Sequence, residues 1–231
     1  MHDQGARDEG SQTVKPLASI VTGRAALATA LFASANFFGF MLVFGLNTWL
    51  PQLMRGAGYA LGSSLQFLLV LNLGAILGGL LGAWLADRIG PRTVATSFFV
   101  LAAISLGLLA TFNSSSAVTQ LLVFMSGMSA VGVQAILWGY VATHYPPRSR
   151  ATALSVTSGI GRLGAASGPI IGGLLVGAGV GLTGNITVFA AAAVLGGLAT
   201  VLVPRIVTHG PQQGVLTGTP TEPSNSATPA V

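Results

Sequence analysis

One guanidinium stands in the middle of a long apolar run. Arg162 lies inside the stretch from Arg148 to Gly177, where Ile160, Leu163, Ile170, Ile171, Leu174 and Leu175 supply the greasy surface. It falls twelve residues beyond Arg150, about 18 Å along a helix that rises ~1.5 Å per residue. With Arg150 at the headgroups, that depth is near the centre of a hydrocarbon layer ~30 Å thick. A charge there costs at least ~2.5–3.5 kcal/mol, and either interface is further away than the side chain can reach. Such a cost is tolerated where the charge meets a wet cavity or a partner, so Arg162 is expected to bind an anion or to work a gate. The competing reading is a bond to backbone carbonyls of a neighbouring span, or to lipid phosphate through a water defect.

Other groups with chemistry are few. Gln134, Asn36 and Asn47 interrupt apolar stretches, and a lone mid-span amide either lines a cavity or glues two helices. His144 can titrate near neutrality, but it stands at a span end, where an interfacial role competes. The acids are Asp3, Asp8, Glu9, Asp87 and Glu222, and none falls within a predicted span. Proton-driven carriers use intramembrane carboxylates or histidines as relays, and this stretch offers none. The run GIGRLG (159–164) fits the dinucleotide fingerprint, but it sits inside an apolar helical segment with no preceding strand and no following acid. Its glycines fit close helix packing instead. With no cysteine, disulfides and thiolate metal sites are excluded. No cluster of nucleophile, base and acid is present, so an enzyme is not expected, and neither a cofactor nor a metal is.

The elements that must hold these groups follow from composition. Only 6% of the 231 residues are charged and 52% are hydrophobic, against about 25% charged in a soluble domain. The chain cannot cover itself with a polar surface, so its solvent is lipid. Six apolar spans are predicted, near 25–50 (closed by Pro51), 62–85, 94–112, 118–142, 148–178 and 185–203. The fold class is all-α, a polytopic membrane domain at 25–204. Residues 1–24 are expected to be a polar cytosolic lead-in without a cleavable signal peptide, and residues 205–231, rich in Pro, Thr, Gly and Ser, a disordered cytosolic tail. Gly74, Gly78 and Gly82 recur every fourth residue in span two, as do Gly164, Gly168 and Gly172 in span five. Each set marks a helix face for close packing.

Alternating spans sort the basic residues. Arg7, Lys15, Arg24, Arg88, Arg92, Arg148, Arg150 and Arg205 fall on one side and Arg55 alone on the other, which places both termini in the cytosol. The net charge of +5 is dispersed in short joints and does not form a nucleic-acid patch. Asn113 and Asn185 begin Asn-x-Ser/Thr triplets, but nothing argues for glycosylation.

Between spans two and three lies a compact charged joint, 86–93. Asp87 there is read as a cap for the next helix or a partner for an arginine across the cytosolic face. This joint resembles the signature Gly-x-x-x-Asp-Arg-x-Gly-x-Arg of the major facilitator superfamily. The residues here are Ala83, Asp87, Arg88, Gly90 and Arg92, with Ala83 replacing the first glycine beside Gly82. The resemblance implies that Asp87 and Arg88 belong to a cytosolic gate. A narrower likeness rests on Asn47 to Pro51 (NTWLP), Gln134 within GVQAIL, Tyr145 to Arg150 (YPPRSR), Arg162 between Gly161 and Gly164, and Gly168-Pro169. In order and spacing these are similar to the aromatic acid:proton symporter branch, over residues 25–203.

That likeness implies the C-terminal six helices of a twelve-helix carrier, with residues 1–24 as its central loop. It further implies that Arg150 and Arg162 match charged positions used in transport. It puts the coupling carboxylate in a missing N-terminal half, and sets the glycine-striped spans two and five across the interface between halves. The expected function is proton-coupled symport of a small organic anion, an aromatic carboxylate, across the inner membrane of a bacterium. Arg162 would meet the carboxylate, Gln134, Asn36 and Asn47 would line the pathway, and Asp87, Arg88, Arg92 and Arg150 would close the cytosolic side. The partners are the bilayer, the anion, protons, and the missing half or a homodimer partner. The proton gradient is the energy source. A carrier of the same superfamily for sugars, dicarboxylates or drugs, a truncated non-transporting remnant, and a membrane scaffold remain the alternatives.

Overall fold

In lipid, a chain must satisfy its backbone hydrogen bonds internally, and an uninterrupted helix does so within each segment. A computed structural model, which describes residue 20 and residues 22–111 and 116–204, is all-helical over those residues. Six helices follow one another: α1 Gly23–Gly56, α2 Leu61–Ile89, α3 Pro91–Thr111, α4 Ser116–His144, α5 Pro147–Gly177 and α6 Leu182–Leu202. Each is long and apolar enough to cross a bilayer, and together they form a six-span membrane domain. Most of the expected lead-in, and the tail from residue 205, lie outside the described residues.

Two boundaries differ from expectation. Pro51 does not close α1; the helix continues through it to Gly56. Proline removes one backbone N–H, leaving the Asn47 carbonyl without its i+4 donor, and membrane helices absorb such a loss through neighbours. The charged stretch 86–93 is not a loop. α2 runs to Ile89, Gly90 alone turns the chain at φ +90°, and Pro91 opens α3. Asp87 and Arg88 therefore occupy the last turn of α2, and Asp87 cannot cap the helix that follows.

The packing follows a three-plus-three scheme. α2 lies mainly on α4 and α5 mainly on α1. α3 packs on α4 as α6 packs on α1, and α3 and α6 pack on each other. Exchanging α1–α3 with α4–α6 leaves this list of neighbours unchanged, as an internal repeat of three helices requires. Aromatic knobs fill glycine notches in the core, Phe189 against Gly45 and Phe99 against Gly196, with Leu42 and Leu46 buried nearby.

The glycine stripes give a third correction. They do not face away from the six helices toward a second half. A Cβ on Gly74 or Gly78 would collide with the Phe124 or Met128 carbonyl oxygen of α4, and one on Gly164 with the Phe37 carbonyl oxygen of α1. Gly82 lies on Ile136 and Phe98, Gly168 on Met41 and Gly45, and Gly172 on the Trp49 ring. These faces are spent inside the unit, where backbones approach closely. The opposite faces of α2 and α5 are left bare. Within their most apolar windows only 28% and 22% of residues are buried, against 50–56% for the other four helices.

Candidate functional site

Arg162 sits at the midpoint of α5, on its bare face. Ser155, Gly159 and Ala166 fall on the same side at spacings of seven, three and four residues, so the guanidinium emerges from a strip of small side chains. Among the described residues it has no hydrogen bond and no ion pair. Its neighbour Gly161 points the other way, into the bundle, where an added Cβ would lie 3.1 Å from the Asn36 Cβ. The backbone of α5 thus rests on Phe40 and Asn36 of α1 while Arg162 lies on the exposed side.

Asn36 is fully buried on α1 and Gln134 is 7% exposed on α4. The Asn36 Nδ2 donates to the Phe32 carbonyl one turn back, at 2.9 Å. The Gln134 Nε2 reaches the Asn36 backbone oxygen at 3.5 Å, in the space left by Gly39. Asn36 Oδ1 and Gln134 Oε1 are both buried without a donor. The two amides come together, but Arg162 does not bond to either. Asn47 stands further along α1, half-buried, and its Nδ2 donates to the Val43 carbonyl at 2.8 Å. Its Oδ1 accepts from Asn72 Nδ2 of α2 at 3.2 Å. Asn72 was not singled out in the sequence. The signal for it was the near-equal distance of Asn47 and Asn72 from the 57–60 turn.

At the end that carries Arg24, Arg88, Arg92, Arg148 and Arg150, the charged groups do not form one network. Arg88 lies over the Trp84 ring at 5.0 Å, an attraction of a cation for a ring face. Arg92 donates to the Val201 carbonyl in the last turn of α6, where a cation meets unpaired carbonyls. Asp87 and Arg150 are exposed, and Asp87 borders a cavity of about 460 Å³ with Gly90, Pro91, Ile136 and Gly139. No ion pair joins these side chains among the described residues.

A tighter structure nearby escaped sequence reasoning. Thr29 Oγ1 lies 2.8 Å from the Ile20 carbonyl, 2.9 Å from the Ala25 carbonyl and 2.7 Å from the Tyr145 hydroxyl. A threonine has one proton to give and carbonyls only accept, so Tyr145 is the donor to Thr29. Burial pushes the Tyr145 phenol above its ordinary value and keeps it protonated. Phe32, Tyr140 and Tyr145 surround the His144 ring, whose Nε2 is buried without a partner. This cluster ties the start of α1 to the α4–α5 joint.

The comparison with known proteins decides the family. Residues 33–228 match the Major Facilitator Superfamily. The chain belongs to that superfamily.

Among curated members, the chain is 39% identical over 183 residues to a gentisate transporter of Corynebacterium glutamicum, covering 77% of this chain and 41% of the relative. It is 39% identical over 166 residues to a benzoate transport protein of Acinetobacter baylyi, covering 72% and 35%. It is 31% identical over 192 residues to the 4-hydroxybenzoate transporter PcaK of Pseudomonas aeruginosa, covering 83% and 43%. The chain therefore spans less than half the length of these major facilitator relatives.

Proposed function

We propose that this chain supplies one half of a secondary carrier for small aromatic carboxylates, driven inward by protons. The observation that carries the reading is Arg162: a charge at mid-depth, unpaired among the described residues, on a helix face that the six helices leave uncovered. In hydrocarbon that arrangement costs ~2.5–3.5 kcal/mol or more, whereas beside a wet cavity it attracts a carboxylate strongly. Relatives named for gentisate, benzoate and 4-hydroxybenzoate support an aromatic acid as the anion. A second six-helix half from a longer protein covers α2 and α5 and brings the proton-binding carboxylate. Substrate binds between the halves, which rock around it. Asn36, Gln134 and Asn47 line this half's share of the path. Asp87, Arg88, Arg92 and Arg150 act at the cytosolic mouth, with both termini in the cytosol of a bacterium and the spans in its inner membrane.

The test is uptake of labelled benzoate and gentisate by cells expressing the chain with its second half, against succinate and glucose as competitors. Arg162→Ala abolishes aromatic uptake and Arg162→Lys retains part of it. Unchanged uptake in Arg162→Ala removes the role given to that residue, and competition by glucose or succinate alone removes the substrate class.

A further inference from the structure

The amides of Asn47 and Asn72 form a link between α1 and α2 that leaves hydrogen-bonding capacity over. Their orientation is fixed, because each Nδ2 faces a carbonyl of its own helix that can only accept: Val43 for Asn47, Leu68 for Asn72, both at 2.8 Å. Asn72 spends its second N–H on Asn47 Oδ1 at 3.2 Å. What remains is one N–H on the half-buried Asn47 and the side-chain oxygen of Asn72, an exposed residue. Asn72 lies eleven residues past Leu61, about 16 Å from the helix end, amid the exposed apolar side chains of Leu69, Leu73 and Ile76. A helix link alone would not need to leave a donor and an acceptor unused at that depth, where unmet polar groups are costly.

We propose that Asn47 and Asn72 form a binding station for a ring hydroxyl of the substrate. A hydroxyl gives one hydrogen bond and takes one, which matches the free Asn72 oxygen and the free Asn47 N–H. The station lies nearer than Arg162 to the end that carries Arg55. Arg162 is fifteen residues, about 22 Å, from Gly177 at that end. A hydroxylated aromatic acid therefore meets the amide pair and the guanidinium at different depths of one path. This inference rests on the aromatic-carboxylate reading and adds a preference for hydroxylated members.

The experiment is equilibrium binding of labelled 4-hydroxybenzoate and benzoate to the purified chain assembled with its second half in lipid nanodiscs, with Asn72→Leu, Asn72→Ser and Arg162→Ala. Asn72→Leu weakens 4-hydroxybenzoate about tenfold, the effect of one good hydrogen bond, and leaves benzoate within about twofold. Asn72→Ser, which keeps a hydroxyl, falls between them. Arg162→Ala weakens both acids alike. Should Asn72→Leu leave the ratio of the two affinities unchanged, water alone fills the station and the inference is overturned while the carrier reading stands. Failure of both asparagine variants to accumulate as folded protein would make the pair a helix clamp and also overturn it. Absence of binding of either acid to the unaltered assembly would remove the carrier reading and this inference together.

Discussion

Gln134 Nε2 of α4 lies 3.5 Å from the backbone oxygen of Asn36 on α1, in a space that exists because residue 39 is glycine. Both side chains are buried and each keeps one oxygen without a donor. The contact is weak by length, and the two orphaned oxygens make it a costly place for the fold. Gly39→Ala pushes the flexible tip of Gln134 away from the Asn36 carbonyl. The substitution is expected to cost about 1 kcal/mol in the native background and almost nothing when Gln134 is already alanine. Thermal midpoints of the four proteins of that cycle in detergent check it. Equal costs in both backgrounds would separate Gly39 from Gln134.

The buried glycine faces are expected to be intolerant of even a methyl group. Gly78→Ala and Gly164→Ala meet backbone oxygens of Met128 and Phe37, which cannot swing aside as a side-chain tip can. Each should lose about 1–3 kcal/mol, the cost of overpacking. Gly79→Ala and Gly159→Ala, where an added Cβ meets nothing within 4 Å, should be neutral or slightly stabilising. The order of thermal midpoints among the four variants decides the matter. A loss at Gly159 equal to that at Gly164 would mean that α5 packs through its other face.

The Tyr145–Thr29 bond carries a pH dependence. The Tyr145 phenol is held above its ordinary value of 10.0 by burial, so the folded chain keeps this proton longer than the unfolded chain does. Its contribution is full below about pH 10 and is lost as pH rises through the folded-state value. Tyr145→Phe should lower the thermal midpoint at pH 7 by the equivalent of about 1 kcal/mol. It should also remove the part of the alkaline decline that this proton causes. Melting curves from pH 7 to 11 on the two proteins check both parts, and identical alkaline declines would refute the second.

The spans and the bare polar groups were legible because their signals are local. Twenty-odd apolar residues and a four-residue glycine period can be read on one helix at a time, and so can a charge in mid-run. What those faces touch could not be read that way. The glycine stripes of α2 and α5 carry the same pattern whether they meet α4 and α1 or a separate half, and only the packed chain shows the former. Asp87 and Arg88 looked like loop residues because charge and glycine punctuate loops, yet Gly90 alone makes the turn. Tyr145 and Thr29 are 116 residues apart, and no period links them. Asn72 was nearer to hand, since residues 47 and 72 are almost mirror images about the 57–60 turn of a two-helix hairpin.

The central claim is that Arg162 faces water and substrate rather than acyl chains. The chain has no cysteine, so Arg162→Cys gives it a single reactive site. The measurement is its labelling rate by a charged, membrane-impermeant thiol reagent in membranes that also hold the second half. Ile104→Cys on the exposed face of α3 serves as the lipid-facing control. The account predicts fast labelling at position 162 and little at position 104. Labelling at 162 no faster than at 104 would contradict it.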